Sequence, residues 1–362
     1  MKLKSISQFL NVQKPILISG PCSAETEEQT IATAKQIAAT GKVHALRAGI
    51  WKPRTRPGQY EGAGDVGLQW LVSAKKETGL PITTEVANAA HVEAALKAGV
   101  DILWIGARTT VNPFSVQEVA DSLKGVDIPV MVKNPVNPDL ELWIGALERL
   151  SKAGITTMAA IHRGFSSSEK GPFRNLPMWD IAIELKTRFP ELEIICDPSH
   201  ISGNRDLIAF ISQKALDLDM AGLMIESHIN PDAAWSDAKQ QVTPSVLGKI
   251  VSELVVRKPD SENKTFKDTL GLLREQIDHL DDEIMQKMAA RMKISEKIGQ
   301  YKKENNVTIL QVNRWEEIIK TRVALCKAMG LDEGFTRDLL RLVHHESIQV
   351  QEKVMNKTEV KV

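Results

Sequence analysis

The chain has 362 residues, with 46 Lys plus Arg against 46 Asp plus Glu, a balance that argues against a nucleic-acid surface. Its three cysteines, Cys22, Cys196 and Cys326, are too few and too scattered for a disulfide framework, which points to reduced thiols and a cytoplasmic setting. No segment has the order of a signal peptide or the apolar length of a membrane span, and no Walker loop, dinucleotide glycine fingerprint or His-rich zinc motif is present.

Eight short apolar runs begin near residues 16, 44, 81, 102, 129, 156, 193 and 222. They end in polar or charged residues: Cys22, Arg47, Glu85, Arg108, Lys133, Arg163, Asp197 and Glu226. The runs are continuously apolar rather than alternating, as strands covered on both faces must be. The stretches between them carry apolar residues at helical spacing, and several stop at glycine: Gly41, Gly79, Gly99 and Gly154. Eight such units predict an α/β fold, a (β/α)8 TIM barrel over 1–256, with its active site at the carboxyl ends of the strands. A doubly wound open sheet is the competing architecture. It is disfavoured because the polar ends are spread over all eight strands rather than gathered at one switch point.

After the eighth unit, the polar stretch at 257–264 carries Pro259 and predicts a linker. From Thr265 to Glu304 apolar residues recur as Leu273, Ile277, Leu280, Ile284, Met288, Ile294 and Ile298 with no proline. This pattern predicts one helix of about 40 residues, ~60 Å long. A helix of that length must bury its stripe against other helices, including those of a second chain. Two further helices are predicted near 313–328 and 335–353, so that 265–354 forms a separate all-α three-helix domain that dimerises, followed by a tail at 355–362.

Arg47, Lys52, Arg54, Arg56, Arg108, Lys133 and Arg163 all fall at or just after strand ends. Seven cations at one concavity call for anionic ligands, either two phosphorylated substrates or one phosphate plus carboxylates. Cys22, His200, Glu226 and Asp237 form a candidate metal set, whose thiolate, imidazole and two carboxylates suit one divalent Mn, Fe, Zn or Co ion better than Mg or Ca. Only barrel closure could bring them together, and His228 is an alternative imidazole on the same strand end. Glu85 and Asp197 at the mouth either position water and hydroxyls or support other side chains. In the long helix Arg291 stands between Met288 and Ile294, where an apolar residue is expected. Lys302 follows within about 20° of the same face, whereas Arg274 is about 100° away and would serve that pocket from a second copy. Snorkelling of Arg291 out of a coiled-coil seam is the plainer alternative.

GPCSAE at 20–25, RAGIWKPRT at 47–55, IGAR at 105–108, MVKN at 131–134, HRG at 162–164, DPSH at 197–200 and MIES at 224–227 resemble the 3-deoxy-D-arabino-heptulosonate 7-phosphate (DAHP) synthases, in their short form. The resemblance implies that Lys52, Arg108, Lys133 and Arg163, with Arg47 nearby, bind phosphoenolpyruvate. It further implies that Arg54 and Thr55 hold the phosphate of erythrose 4-phosphate, and that Cys22, His200, Glu226 and Asp237 ligate the metal. Synthases making 3-deoxy-manno-octulosonate 8-phosphate share the barrel but carry an Asn-containing segment where this chain has Pro53, Arg54 and Thr55.

LREQIDHLDDEIMQKMAARM and IGQYK, within 273–302, resemble the first helix of the all-helical chorismate mutases. The resemblance implies that Arg274, Arg291, Lys302, Arg314 and Gln351 bind chorismate, with Lys302 and Gln351 on its ether oxygen. Where that family commonly has Asp and Glu flanking Arg314, this chain has Gln311 and Trp315, which leaves the ring-hydroxyl contact open to Glu316 or Glu317. The expectation is a bifunctional enzyme of aromatic amino-acid biosynthesis, homodimeric or larger, with prephenate as a feedback ligand. The alternatives are a barrel that makes 3-deoxy-manno-octulosonate 8-phosphate, or a helical domain that only regulates the barrel or only dimerises.

Overall fold

Eight parallel strands, β1 (Ile16–Gly20), β2 (Ala45–Arg47), β3 (Ile82–Val86), β4 (Ile102–Ile105), β5 (Val130–Lys133), β6 (Met158–His162), β7 (Glu193–Cys196) and β8 (Gly222–Glu226), close into a barrel in chain order. The computed structural model describes residues 1, 3–52, 58, 60–168, 171–258 and 260–356, so that Arg54, Thr55 and Arg56 lie outside the described residues. The chain divides into two compact units, Met1–Pro259 and Asp260–Val362. Among the described residues, no helix is long and apolar enough to cross a membrane.

Each strand begins within two residues of its predicted start. Closure comes from β1 pairing with β8, in a register running from Ile16 opposite Gly222 to Gly20 opposite Glu226. The continuous apolar runs serve two cores. Leu17, Leu46, Leu103, Val132, Ile194 and Ile225 pack outward under the helices. Their neighbours Ile16, Ile18, Ala45, Ile102, Trp104, Met131, Ile161, Ile195 and Met224 fill the barrel. Side chains alternate along a strand, so the residues two positions beyond Ala45, Met131, Ile161, Ile195 and Met224 also face inward. Those residues are Arg47, Lys133, Arg163, Asp197 and Glu226, and their parity gathers them inside the carboxyl end of the barrel.

The amino-terminal end of the barrel is plugged by the helix Ile6–Leu10, whose Ile6 belongs to the inner core. Ser7 ties it down: its N–H donates to Glu193 Oε2 at 3.1 Å and its hydroxyl to Glu193 Oε1 at 2.5 Å. A five-residue helix carries too little periodicity to be predicted from sequence.

In the carboxy-terminal unit the helices are Lys264–Glu304, Val312–Ala328 and Glu333–Asn356. The first and third pack along each other, and Gly299 allows their close approach: a Cβ there would lie 3.1 Å from Gln351 Cα. The first helix leaves Leu273, Ile277, Leu280 and Ile284 between 50% and 56% exposed within this unit.

Gly20 ends β1 at φ +154°, and a Cβ there would stand 1.9 Å from the Arg47 carbonyl oxygen. The clash is with backbone, so no side-chain rotation relieves it. Gly20→Ala is therefore expected to destabilise the barrel by about 3 kcal/mol or more, read as a lowered urea midpoint. Gly41→Ala, at positive φ but in open space, should cost about 1 kcal/mol.

Candidate active sites

Three potential metal-ligating groups meet at the barrel mouth. Cys22 follows β1, Glu226 ends β8 and Asp237 sits in the loop after β8, with one ligand atom from each lying within 4.8 Å of the others. The loop around Asp237 is fixed from several sides. Arg174 Nη1 donates to Asp237 Oδ1 at 3.0 Å, and Gln240 Nε2 donates to Glu226 Oε2 at 2.7 Å. The Cys22 N–H donates to Gln241 Oε1 at 2.9 Å, and the Ser23 and Ser236 hydroxyls lie 2.6 Å apart. Glu226 Oε1 is buried without a hydrogen-bond partner. A carboxylate oxygen with no hydrogen bond, its charge balanced by Arg47 Nη2 at 3.2 Å, beside a thiol and a second carboxylate, makes a donor set that suits a borderline divalent cation.

His200 adjoins this cluster. Its Nδ1 is 2.8 Å from Asp197 Oδ2 and 3.8 Å from Glu226 Oε1. His228, the alternative imidazole, lies 3.5 Å from Glu25 Oε2 instead.

Burial, reinforced by the Glu226 charge, pushes the Cys22 thiol up to about 12. Lys52 Nζ donates to Cys22 Sγ at 3.0 Å. Burial works against the Lys52 ammonium, yet Cys22 and Glu226 beside it hold it above its ordinary value.

The cations are not the uncompensated ring that strand ends alone suggest. Arg47 is 1% exposed, with Nη2 3.2 Å from Glu226 Oε1 and donating to the Cys22 carbonyl at 3.3 Å. It therefore braces the ligand cluster instead of facing the open mouth. Lys133 Nζ donates to Asp197 Oδ2 at 3.0 Å. Both cations lie over Trp104, its ring centroid 5.0 Å from the Arg47 guanidinium and 5.8 Å from Lys133 Nζ. The Trp104 indole N–H donates to Glu85 Oε2 at 2.9 Å. Glu85 and Asp197 are thus committed to neighbouring side chains.

Arg163 is held by Asn175 Oδ1 at 2.7 Å, and burial pulls its guanidinium down to about 10, still charged at neutral pH. His162 beneath it is buried and pulled to about 3 by burial and by Arg163, hence neutral. Arg108 is exposed at the mouth. Arg174 and Trp104 were not predicted. Trp104 could have been found from its inward parity two residues after Ile102, whereas Arg174 lies in a loop with no period to read.

The helical unit carries a half-open cavity of about 540 Å³ lined by residues from all three helices, including Arg291, Lys302, Arg314 and Gln351. Arg291 Nη1 donates to Ser347 Oγ, and Lys302 Nζ donates to the Ile309 carbonyl at 2.5 Å. Burial lowers both cations from their ordinary values. Gln351 Oε1 is buried and unpartnered. Arg314 Nη1 reaches Glu317 Oε2 at 2.6 Å, and neither Glu316 nor Glu317 lines the cavity. Arg274 is not among the lining residues either.

Residues 11–258 match the DAHP synthetase I family, and residues 273–352 match chorismate mutase type II. The phospho-2-dehydro-3-deoxyheptonate aldolase of Thermotoga maritima is 31% identical over 256 residues, covering 71% of each chain. A 2-dehydro-3-deoxyphosphooctonate aldolase of Polaromonas naphthalenivorans is 28% identical over 255 residues, 62% of this chain and 84% of that one. The crystal structure of the Thermotoga maritima DAHP synthase superposes with a TM-score of 0.58 at 28% identity, covering 71% of this chain and 70% of that chain. A truncated form of the Thermotoga synthase gives 0.57 at 27% identity, over 71% and 87%. The chain therefore belongs to the DAHP synthetase I family and carries behind that barrel a chorismate mutase domain of type II, two activities of aromatic amino-acid biosynthesis on one polypeptide.

Proposed function

We propose that Lys52, Lys133, Arg163 and Arg108 bind phosphoenolpyruvate at the barrel mouth, beside a divalent ion of the Mn, Fe, Zn or Co class held by Cys22, Glu226, Asp237 and His200. The convergence of three ligand atoms within 4.8 Å beside Lys52 is the observation that carries this reading. His200, braced by Asp197 at its Nδ1, would add an imidazole to the ligand set. Once bound, the ion supplies a Lewis acid for the aldehyde oxygen of erythrose 4-phosphate.

The chain's own groups do the rest. Lysine and arginine hold two mutually repelling anions together, with Arg54 and Thr55 assigned to the phosphate of the sugar. Arg47 keeps Glu226 in place, and Asp197 orients Lys133 and His200. Lys52 presents an ammonium proton at the edge of the ligand cluster. The enol carbon bonds to the aldehyde carbon, water adds to the carbon bearing the phosphate ester, and that C–O bond breaks as phosphate leaves.

In the helical unit, Arg291 and Arg314 grip the carboxylates of chorismate while Lys302 and Gln351 hydrogen-bond its ether oxygen. Arg274 joins them from a second copy. The half-exposed stripe from Leu273 to Ile284 supports this homodimer, since only Val323, Val343 and Val354 are buried apolar side chains among the described residues of the unit.

A steady-state assay on the purified chain tests both assignments. Phosphoenolpyruvate should be consumed with erythrose 4-phosphate and not with arabinose 5-phosphate, and chorismate should yield prephenate; the reverse sugar preference would overturn the barrel assignment. Cys22→Ala should abolish bound metal by elemental analysis and lower synthase kcat/KM by about a hundredfold or more, with mutase turnover unchanged as the control for folding. Ile284→Glu places a charge in the unpartnered stripe. It should yield monomeric helical units by light scattering and lose mutase activity; an active monomer would remove Arg274 from the site.

A further inference from the structure

The mutase cavity has a wholly cationic charged lining. Lys287, Arg291, Lys302 and Arg314 contribute to it, and no Asp or Glu is among its described lining residues. Two carboxylates of chorismate satisfy these cations, but its ring hydroxyl needs a polar group of another kind. Buried without one, that hydroxyl would lose its water contacts uncompensated.

His344 meets the requirement. It lines the cavity from the third helix, and its imidazole stacks on Trp315 of the second helix with ring centroids 4.1 Å apart and planes 15° from parallel. Its Nε2 is buried and has no hydrogen-bond partner. Stacking fixes the plane of the ring, so the nitrogen is held in place before substrate arrives. Of the other polar groups, Ser347 Oγ is committed to Arg291 and the Val343 carbonyl and Gln351 Nε2 to the Ser347 carbonyl, which leaves Gln351 Oε1 without a partner.

We propose that His344 recognises the ring hydroxyl of chorismate, exchanging one hydrogen bond with it through Nε2 while Trp315 holds the imidazole in register. Burial, with the Arg291 and Lys302 charges, keeps the imidazole below its ordinary range and so neutral near pH 7. A neutral imidazole nitrogen either donates or accepts, and a hydroxyl answers both. The neutral ring also adds no further positive charge to a cavity already lined by four cationic side chains. Gln311, which lines the same cavity, is the competing group.

The inference rests on the mutase assignment of this cavity, and wild-type turnover of chorismate tests that separately. His344→Phe retains a ring to stack on Trp315 and removes Nε2. Its kcat/KM for chorismate should fall about tenfold, the scale of one hydrogen bond. With a chorismate analogue lacking the ring hydroxyl, wild type and His344→Phe should be equal. Gln311→Ala should keep the wild-type discrimination between the two substrates. Equal losses on both substrates would make His344 a structural support for Trp315 and overturn the proposal. So would unchanged turnover in His344→Phe, or loss of discrimination in Gln311→Ala. Synthase activity of each variant, carried by the other unit, controls for misfolding of the chain.

Discussion

Closure of the barrel between β1 and β8 is the constraint on which the synthase site depends. Cys22 and Glu226 are separated by most of the first unit in sequence, yet the register placing Gly20 opposite Glu226 sets the end of one strand against the end of the other. Parallel pairing all round the barrel then does for charge what it does for packing. Every inward position at the carboxyl end faces the same small volume, and Arg47, Lys133, Arg163, Asp197 and Glu226 occupy those positions. Gly20 is where closure and chemistry meet, because no side chain fits between β1 and the Arg47 carbonyl.

So many ionised groups in one buried volume are tolerable only when paired. Arg47 with Glu226 and Lys133 with Asp197 are almost fully buried pairs. Such pairs add little to stability relative to apolar packing, but removing one partner strands the other and costs roughly 3–5 kcal/mol. Their value is preorganisation: the carboxylates are aimed before any ligand binds. Trp104 fits this account, since its ring attracts both the Arg47 and Lys133 cations and its N–H holds Glu85.

The helical unit solves its problem differently. Its cavity is assembled from three helices whose single-copy core is thin, and the stripe on its longest helix remains uncovered. Rigidity at the site comes from local devices, namely the Gly299 contact with Gln351, the Arg291 bond to Ser347 and the Trp315–His344 stack. The acidic pair expected to flank Arg314 is replaced by Gln311 and Trp315, and Glu317 turns to Arg314 outside the cavity.

Eight strand positions, the long helix and nearly all the candidate residues were legible in the sequence, because apolar periodicity and strand-end polarity are local properties that burial on both faces imposes. Arg54 and Thr55 were legible as a motif, and they lie outside the described residues. What sequence could not reveal was which charges pair with which. Arg47 turns to Glu226 instead of the open mouth, His200 faces Asp197, and Arg174 arrives from a loop to hold Asp237. Nor could it show that His344, one polar residue on a helix full of them, stacks on Trp315 with an unanswered nitrogen. Spacing along a chain determines which face a side chain takes, but partners across the barrel or across helices are chosen by three-dimensional proximity and by the cost of leaving a buried charge or hydrogen-bonding group alone.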